Sequence, residues 1–458
     1  MLRQFKSLLG VEEGVWGRGR GHLRKSPWPP PLKNNCPQIL VVAGEASGEG
    51  HAARLVAAIK ERRPGAQFFG VGGEAMAAQG VRILCPASEL AVVGLSEVVG
   101  RLPAVLKALK AIARALKRER PGLAILVDFP DFNFWVARLA KLYRVPVMYY
   151  ISPQVWAWRT YRVRTIARLV DRMAVIFPFE ADFYRERGVP VTYVGHPLPE
   201  TLPLMPDRRE LLAGWGLDPQ RLTVALLPGS RAGEIKRHLP TMLAGMALMQ
   251  QAVPQCQFIL PLASTAPREL VEGMVAGYLG GGPGTLTKNP CPPPKPPTQP
   301  CKGLGEGDRG RGEGLSAPRP LPLTIIPGQS YAALAAAHLA VVASGTATVE
   351  AALAGTPTII VYRLSPLTFA VGRRLIRVPH VGMANLLAGE RLFPELLQDD
   401  FTAARLAQEA LRLMRDPERL KTLGRGLARV IAALGGPGAS ARAAQVALEL
   451  MAGRQWEG

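Results

Sequence analysis

Several things are scarce in this 458-residue chain, and each scarcity closes off a class of protein. There are five cysteines, Cys36, Cys85, Cys256, Cys291 and Cys301, with no CxxC pair among them. An odd, scattered set argues against a disulfide framework and suits a reducing compartment. Cys291 and Cys301 flank a proline run with no histidine nearby, so a linker is a better reading there than a metal clip. No uninterrupted apolar run reaches about 18 residues, so no bilayer-spanning helix is expected. The opening MLRQFKSLLGVEEG is too weakly apolar for a secretory signal, and the cytoplasm is the expected location. Aromatic residues make up only 6%, and none interleave with basic stretches, which weakens any nucleic-acid reading. No D-x-D triplet occurs, so a metal-bridged nucleotide site is not expected, and nothing calls for a metal or other cofactor. There is no internal repeat.

Acids are also scarce relative to bases, 35 against 56, giving a formal charge of +21. An excess of that size implies an anionic partner: nucleic acid, anionic lipid or a phosphorylated substrate. Two segments are too rich in Gly, Pro and Arg to pack a core. Residues 1–37 read as a disordered leader and residues 280–322 as a disordered surface insertion.

The rest alternates apolar runs of four to six residues with amphipathic helical patterns. Strands are predicted at 38–43, 67–71, 123–128, 146–150, 173–177 and 191–194, then at 222–227, 257–261, 323–326, 339–343 and 358–362. That pattern indicates α/β folding with parallel sheets covered by helices on both faces. Prolines crowd 195–207, so the expected division is an N-terminal domain over 38–200 and a C-terminal one over 207–435. Residues 436–458 are expected to form a helix that packs back on the N-terminal domain. The prediction is two Rossmann-like domains facing each other across a cleft, with ligands beyond the carboxyl ends of the strands.

Three loops carry polar groups at such strand ends. ILVVAGEASGEGHAARL contains G-x-G-x-x-A over residues 48–53, but the next strand offers no acid for a dinucleotide ribose. Its Glu45, Ser47, Gly48, Glu49 and His51 suggest a hydroxyl-rich ligand instead. In TVALLPGSRAGEIKRHLP, Gly229, Ser230 and Arg231 precede a helix whose free N–H groups and dipole suit an anion. In LAVVASGTATVEAALAGTP, Ser344, Gly345 and Thr346 open another helix with room for a diphosphate, and Glu350 lies placed for a ribose diol. Two such loops make the second half the nucleotide-diphosphate half. Tyr362 is a weaker candidate that could equally be core.

The segments VAGEASGEGHAARL, VDFPDFN, ISPQVWAWR, FPFE, YVGHPL, LLPGSRAGEI, ASGTATVEAAL and NLLAGERLFPELLQ, spread over residues 38–450, resemble those of the lipid-A-disaccharide synthases, inverting glycosyltransferases of the GT-B type. SPQVWAW and the NLLAGER–PELLQ pair are the most specific. The family usually has Asp where Glu49 stands. The resemblance implies transfer of 2,3-diacylglucosamine from its UDP derivative to the 6-hydroxyl of 2,3-diacylglucosamine 1-phosphate, giving a β(1→6) disaccharide and UDP. It implies a peripheral enzyme on the inner face of the bacterial inner membrane, with a homodimer left open. The alternative is another UDP-sugar enzyme of this architecture, a glycolipid transferase or an epimerase.

Inversion requires one in-line displacement and a base for the acceptor hydroxyl. Asp128, at the end of a predicted strand, is the candidate base, and the resemblance points to the same position. Asp131 and Asn133 follow as substrate contacts, with Asp131 also suited to cap a helix at 132–141. His196, in GHPL, is either a substrate contact or a hinge residue. Asn385 would donate its amide to the leaving diphosphate. The VWAW block at 155–158 could wall the cleft or pack inside, and Arg159, Arg162 and Arg164 could meet an acceptor phosphate or sit in solvent. Residues 103–120 form an amphipathic basic helix best read as packing on the sheet. The 92–106 segment is the better candidate for membrane contact.

Overall fold

A computed structural model of the chain describes residues 36–44, 46–90, 102–158, 160–263, 266–280, 321–365, 369 and 378–453. The leader up to residue 35, residues 281–320 of the insertion and residues 92–101 of the membrane candidate lie outside that set. The chain divides into two compact units. One comprises Met1–Thr201 with Ala433–Gly458, the other Leu202–Ala432.

The first unit is built on a seven-stranded parallel sheet. Its strands are β1 (Gln38–Ala43), β2 (Gln67–Gly72), β3 (Val81–Pro86), β4 (Leu123–Val127), β5 (Val147–Tyr150), β6 (Arg172–Val175) and β7 (Val191–Tyr193). Their spatial order is β3-β2-β1-β4-β5-β6-β7. The chain builds outward from β1 in one direction, then returns beside β1 and builds the other way. The carboxyl ends of β1 and β4 therefore flank the point where the winding reverses, the place where such sheets bind ligands. Ala43 pairs with Val127 there.

The second unit repeats the design with six parallel strands: β8 (Thr223–Leu227), β9 (Gln257–Leu262), β10 (Leu323–Pro327), β11 (Leu339–Ala343), β12 (Thr358–Tyr362) and β13 (Glu395–Leu397). The order is β10-β9-β8-β11-β12-β13, so the reversal lies between β8 and β11, with Val342 opposite Leu227.

β1, β4, β8 and β11 are apolar and essentially buried along their length, as expected for strands covered on both faces. Two strands are absent from the sequence expectation, and both are edges. β3 alternates buried Val81 and Cys85 with exposed Arg82 and Pro86, and β13 has three residues. The helix Leu102–Glu119 buries Leu109, Ile112 and Leu116 in the core of the first unit, so its apolar face is spent on packing. The last helix, Ala439–Ala452, packs on the helix Ala46–Arg62, with Ala443, Ala444 and Ala447 buried. Among the described residues no helix is long and apolar enough to cross a membrane.

Candidate active site

Asp128 leaves the end of β4 in an unusual conformation. It and Phe129 both have φ of 46°, and Ile151, at the end of neighbouring β5, has φ of 63°. The left-handed region costs an L-residue about 1–2 kcal/mol, and a β-branched residue there is a true outlier. Such strain clusters at functional sites and persists only where the surroundings hold it in place. Here they do. The Asp128 carbonyl accepts the Tyr149 hydroxyl at 2.6 Å and the Asn133 amide at 2.7 Å, and the same amide reaches the Val127 carbonyl at 3.2 Å. Pro130 starts the next helix and disfavours the right-handed region for Phe129. The Phe129 ring covers Gly44 so closely that a Cβ at residue 44 would fall inside it.

The first glycine loop lies beside this turn. A Cβ at Gly48 would stand 3.7 Å from that of Asp128. The Glu45 and Ser47 side chains lie outside the described residues. The Glu49 carboxylate points elsewhere: it accepts the Ala75 N–H at 2.7 Å, at the start of the helix Glu74–Ala78. His51 is half-buried, and its Nδ1 lies 2.7 Å from an Arg54 nitrogen. Burial, then the Arg54 charge, pushes its pKa down to about 4. His196 is buried, accepts the Leu198 N–H on Nδ1 at 3.0 Å, and packs against Phe177. Burial and the nearby His51 push its pKa down to about 3.

Two first-unit expectations need correction. Asn133 is wholly buried and its amide nitrogen donates to backbone, so what it is seen to hold is the Asp128 turn. Asp131 is no cap, because the helix begins at Pro130 with Phe129 before it. Asp131 lies in the first turn, 2.7 Å from Arg162. Trp156 is a packing residue. Its Nε1 donates to buried Glu180 at 3.0 Å, and Phe179 packs edge-on against its ring. Glu180 also accepts the Ile176 and Phe177 N–H groups, while burial pushes its pKa up to about 8. Arg164 is exposed, and Arg159 lies outside the described residues.

In the second unit, the loop after β8 turns at Gly229, with φ of 113°, and enters the helix Ala232–Ala252. Its N–H groups are already engaged, contrary to expectation. Glu234 folds back so that one carboxylate oxygen accepts from Ser230 N at 3.2 Å and Arg231 N at 3.4 Å. A carboxylate at a helix start behaves as any anion does there. The Arg231 side chain is largely exposed, 3.9 Å from Glu234. Tyr362, at the end of β12, is half-buried beside the same group: burial raises its pKa, as does Glu234, against Arg237 and Arg231. Arg237 was not singled out from sequence. Its Nε donates to the Arg363 carbonyl, and its outer nitrogens lie over Gly233 in the first helical turn.

The loop after β11 leaves Gly345 and Thr346 exposed, while Ser344 donates to the Val381 carbonyl at 2.9 Å. Glu350 is no surface charge: burial raises its pKa. Asn385 departs from its expected role. It is wholly buried, and its amide hydrogens go to the Phe393 carbonyl at 2.9 Å and Glu395 at 2.8 Å, while its oxygen accepts from Phe393 N. Glu395 also accepts the Val381 and Gly382 N–H groups. With no hydrogen to spare, Asn385 clasps one loop to another. Among the described residues no group of three metal-ligating side chains occurs.

Comparison with known proteins then decides the family. A model of the lipid-A-disaccharide synthetases matches residues 39–278 and 319–450. The chain belongs to the lipid-A-disaccharide synthase family. A relative of that name from Geobacter metallireducens is 43% identical over 414 residues, covering 90% of this chain and 97% of the relative. Another, from Myxococcus xanthus, is 43% identical over 417 residues, covering 91% and 98%. Of solved structures, the UDP-GlcNAc 2-epimerase of Neisseria meningitidis superposes with a TM-score of 0.57 at 10% identity, over 91% of this chain and 100% of that one. The calicheamicin glycosyltransferase CalG4 gives 0.51 at 16% identity, over 91% and 98%. These last two are likenesses of fold alone, and the fold is the GT-B one. The segments that resembled the lipid-A-disaccharide synthase family now have physical reasons in this chain. SPQVWAW supplies the Trp156 partner of Glu180 in FPFE, and NLLAGER and PELLQ supply the two halves of the Asn385–Glu395 clasp.

Proposed function

We infer that the protein transfers 2,3-diacylglucosamine from its UDP derivative to the 6-hydroxyl of 2,3-diacylglucosamine 1-phosphate, forming the β(1→6) disaccharide 1-phosphate and UDP with inversion. The observation that carries this reading is Asp128, a carboxylate on a strained, hydrogen-bonded turn at the winding reversal of the first sheet. Its carboxylate takes the proton of the acceptor 6-hydroxyl while that oxygen bonds to the anomeric carbon. The bond from that carbon to the diphosphate breaks, and the electron pair leaves with UDP. Gly48, His51 and His196, in the same unit, contact the acceptor, with Glu45, Ser47 and Asp131 as further candidates.

The diphosphate falls to the second unit. Its negative charge is met by Arg231, by the start of the helix Ala232–Ala252, and by Ser344, Gly345 and Thr346. It takes over the Ser230 and Arg231 N–H groups that Glu234 holds. Glu350 accepts from the ribose diol, and Tyr362 lies beside the diphosphate. Both substrates carry acyl chains, so the protein docks on the inner face of the inner membrane, which its +21 charge favours.

The test uses the full chain with both lipid substrates. Asp128→Asn is expected to lower turnover by about 10²–10⁴-fold while leaving UDP affinity intact. Loss of UDP binding along with turnover would show the base assignment to be wrong. Conversion of the UDP-sugar without any lipid acceptor would point to an epimerase instead.

A further inference from the structure

The groups around His51 go deeper than one hydrogen bond. Arg54 lies one turn along the same helix, and a guanidinium has only hydrogens to offer. At 2.7 Å from Arg54 Nη2, His51 Nδ1 must therefore be the acceptor and carry no proton. A neutral ring then has its hydrogen on Nε2. His196 obeys the same logic, because its Nδ1 accepts the Leu198 N–H. The two rings are close enough for His51 to depress the basicity of His196. Each keeps its one basic nitrogen occupied and offers only a donor.

Arg54 is itself embedded. Tyr150, at the end of β5, and Glu200, in the turn Leu198–Glu200, are the groups whose charges bear on it, against a burial that lowers its pKa. Glu200 accepts the Ser440 N–H at 3.0 Å, and Arg442 donates to the Val194 carbonyl at 2.7 Å, so the last helix closes this layer. Tyr150 is fully buried and Ser440 is 6% exposed. Their hydroxyls face one another, yet neither of them nor Arg54 Nε makes a hydrogen bond of good geometry to another protein group. Groups facing the histidine pair are thus Arg54 from its own helix, with Tyr150 and Glu200 around Arg54 from two other elements and Arg442 of the last helix acting on Tyr150.

We propose that Arg54, backed by Tyr150, Glu200 and Ser440, is a positioning residue that locks His51 as a fixed Nε2–H donor to an oxygen of the acceptor sugar. The C-terminal helix, almost 400 residues away in sequence, is by this account part of the acceptor site. The proposal rests on the transferase reading for the identity of that oxygen. It assigns the histidines to orientation and leaves the proton to a carboxylate.

The tautomer is read directly by long-range ¹H–¹⁵N correlation on the full chain labelled in its imidazoles, with no substrate present. The expected wild-type result is a His51 ring protonated on Nε2 alone at pH 7. Arg54→Met should free the ring to mix tautomers and titrate nearer its ordinary value. It should raise acceptor KM about tenfold and leave the KM for the UDP-sugar unmoved. Arg54→Lys, which keeps a donor, should restore part of both. Glu200→Gln, which leaves Arg54 in place but strips its counter-charge, gives a milder shift in the same direction should Arg54→Met fold poorly. A His51 proton on Nδ1 in the wild type overturns the proposal. So does an Arg54→Met protein with wild-type spectra and acceptor KM. A wild-type protein that makes no disaccharide would sink the transferase reading, whatever the spectra show.

Discussion

Tyr149→Phe removes a single oxygen atom, and its expected effect can be worked from the turn it supports. Asp128 and Phe129, both left-handed, store about 1–2 kcal/mol apiece. Against that, the Asp128 carbonyl holds two side-chain hydrogen bonds, from Tyr149 and Asn133. Each contributes a net of about 1 kcal/mol, somewhat more when fully buried as both donors are here. The two bonds and the strain are of similar size, so losing one lets the turn relax toward ordinary dihedrals. Asn133 still satisfies the carbonyl, so the variant should fold, with a loss of about 1–2 kcal/mol in a urea titration. If the relaxation moves the carboxylate out of line with the acceptor hydroxyl, a deficit of about 1.4 kcal/mol in the barrier becomes a tenfold fall in kcat. On the proposed reading the UDP-sugar is bound by the other unit, so its KM should hold. The decisive assay is disaccharide formation per folded molecule, with the folded fraction taken from the same urea titration. A variant that loses the stability yet turns over like wild type would show that the strained turn does not aim the carboxylate.

Asn385→Ala should destabilise the second unit by about 2–4 kcal/mol, read by thermal melting, because it strips three hydrogen bonds and leaves Glu395 without its amide partner. An unchanged melting temperature would show the clasp to be idle. His51 and His196 have folded-state pKa values of about 4 and 3, below the ordinary 6.5, so the unfolded chain binds more protons between those limits. Their contribution is intact above pH 6.5 and is lost as pH falls toward 4 and 3, by up to about 1.4 kcal/mol per pH unit for each ring; urea midpoints that stay flat over that window in wild type would refute it. Glu180 acts with the opposite sign. With its pKa pushed up to about 8 from 4.5, its contribution falls as pH rises across that interval, and Glu180→Gln should remove that slope. Glu234→Gln should tighten UDP binding by about two- to five-fold in calorimetry, since it takes a negative charge from the proposed seat of the diphosphate; weaker binding would mean that the carboxylate serves the ligand.

The strands most plainly legible in the sequence are those buried on both faces, because an unbroken apolar run such as LAILV or LAVVA leaves little else for the chain to do, although the edge strands β7 and β10 are legible as well. β3 escaped because it mixes exposed Arg82 and Pro86 with its buried residues, and β13 because it is only three residues long. Glu395, a charged residue at the start of its strand, argues against a strand until its three N–H partners are known. Asp128 was readable as a carboxylate at the end of a buried run, and the phosphate-type loops as glycine and hydroxyl residues between strand and helix. What no pattern disclosed was Tyr149, which scores as one more apolar core position, and the direction in which polar side chains point.

That last failure has a common physical cause. Wherever a chain leaves a parallel strand and enters a helix, several N–H and C=O groups lose their partners at once, and the fold must satisfy them close to where a ligand binds. Glu49 takes the Ala75 N–H, Glu234 takes those of Ser230 and Arg231, Glu180 those of Ile176 and Phe177, and Asn133 and Asn385 take carbonyls. An acid or amide in such a loop has the same spacing from the strand whether it meets substrate or backbone, so spacing alone cannot separate the two. The distinguishing quantity is competition. A residue that only braces the loop keeps its backbone partners when ligand arrives, as the buried Asn385 must. A residue on the ligand's path, as we propose for Glu234, has to exchange them, and so its charge should register in the affinity for UDP.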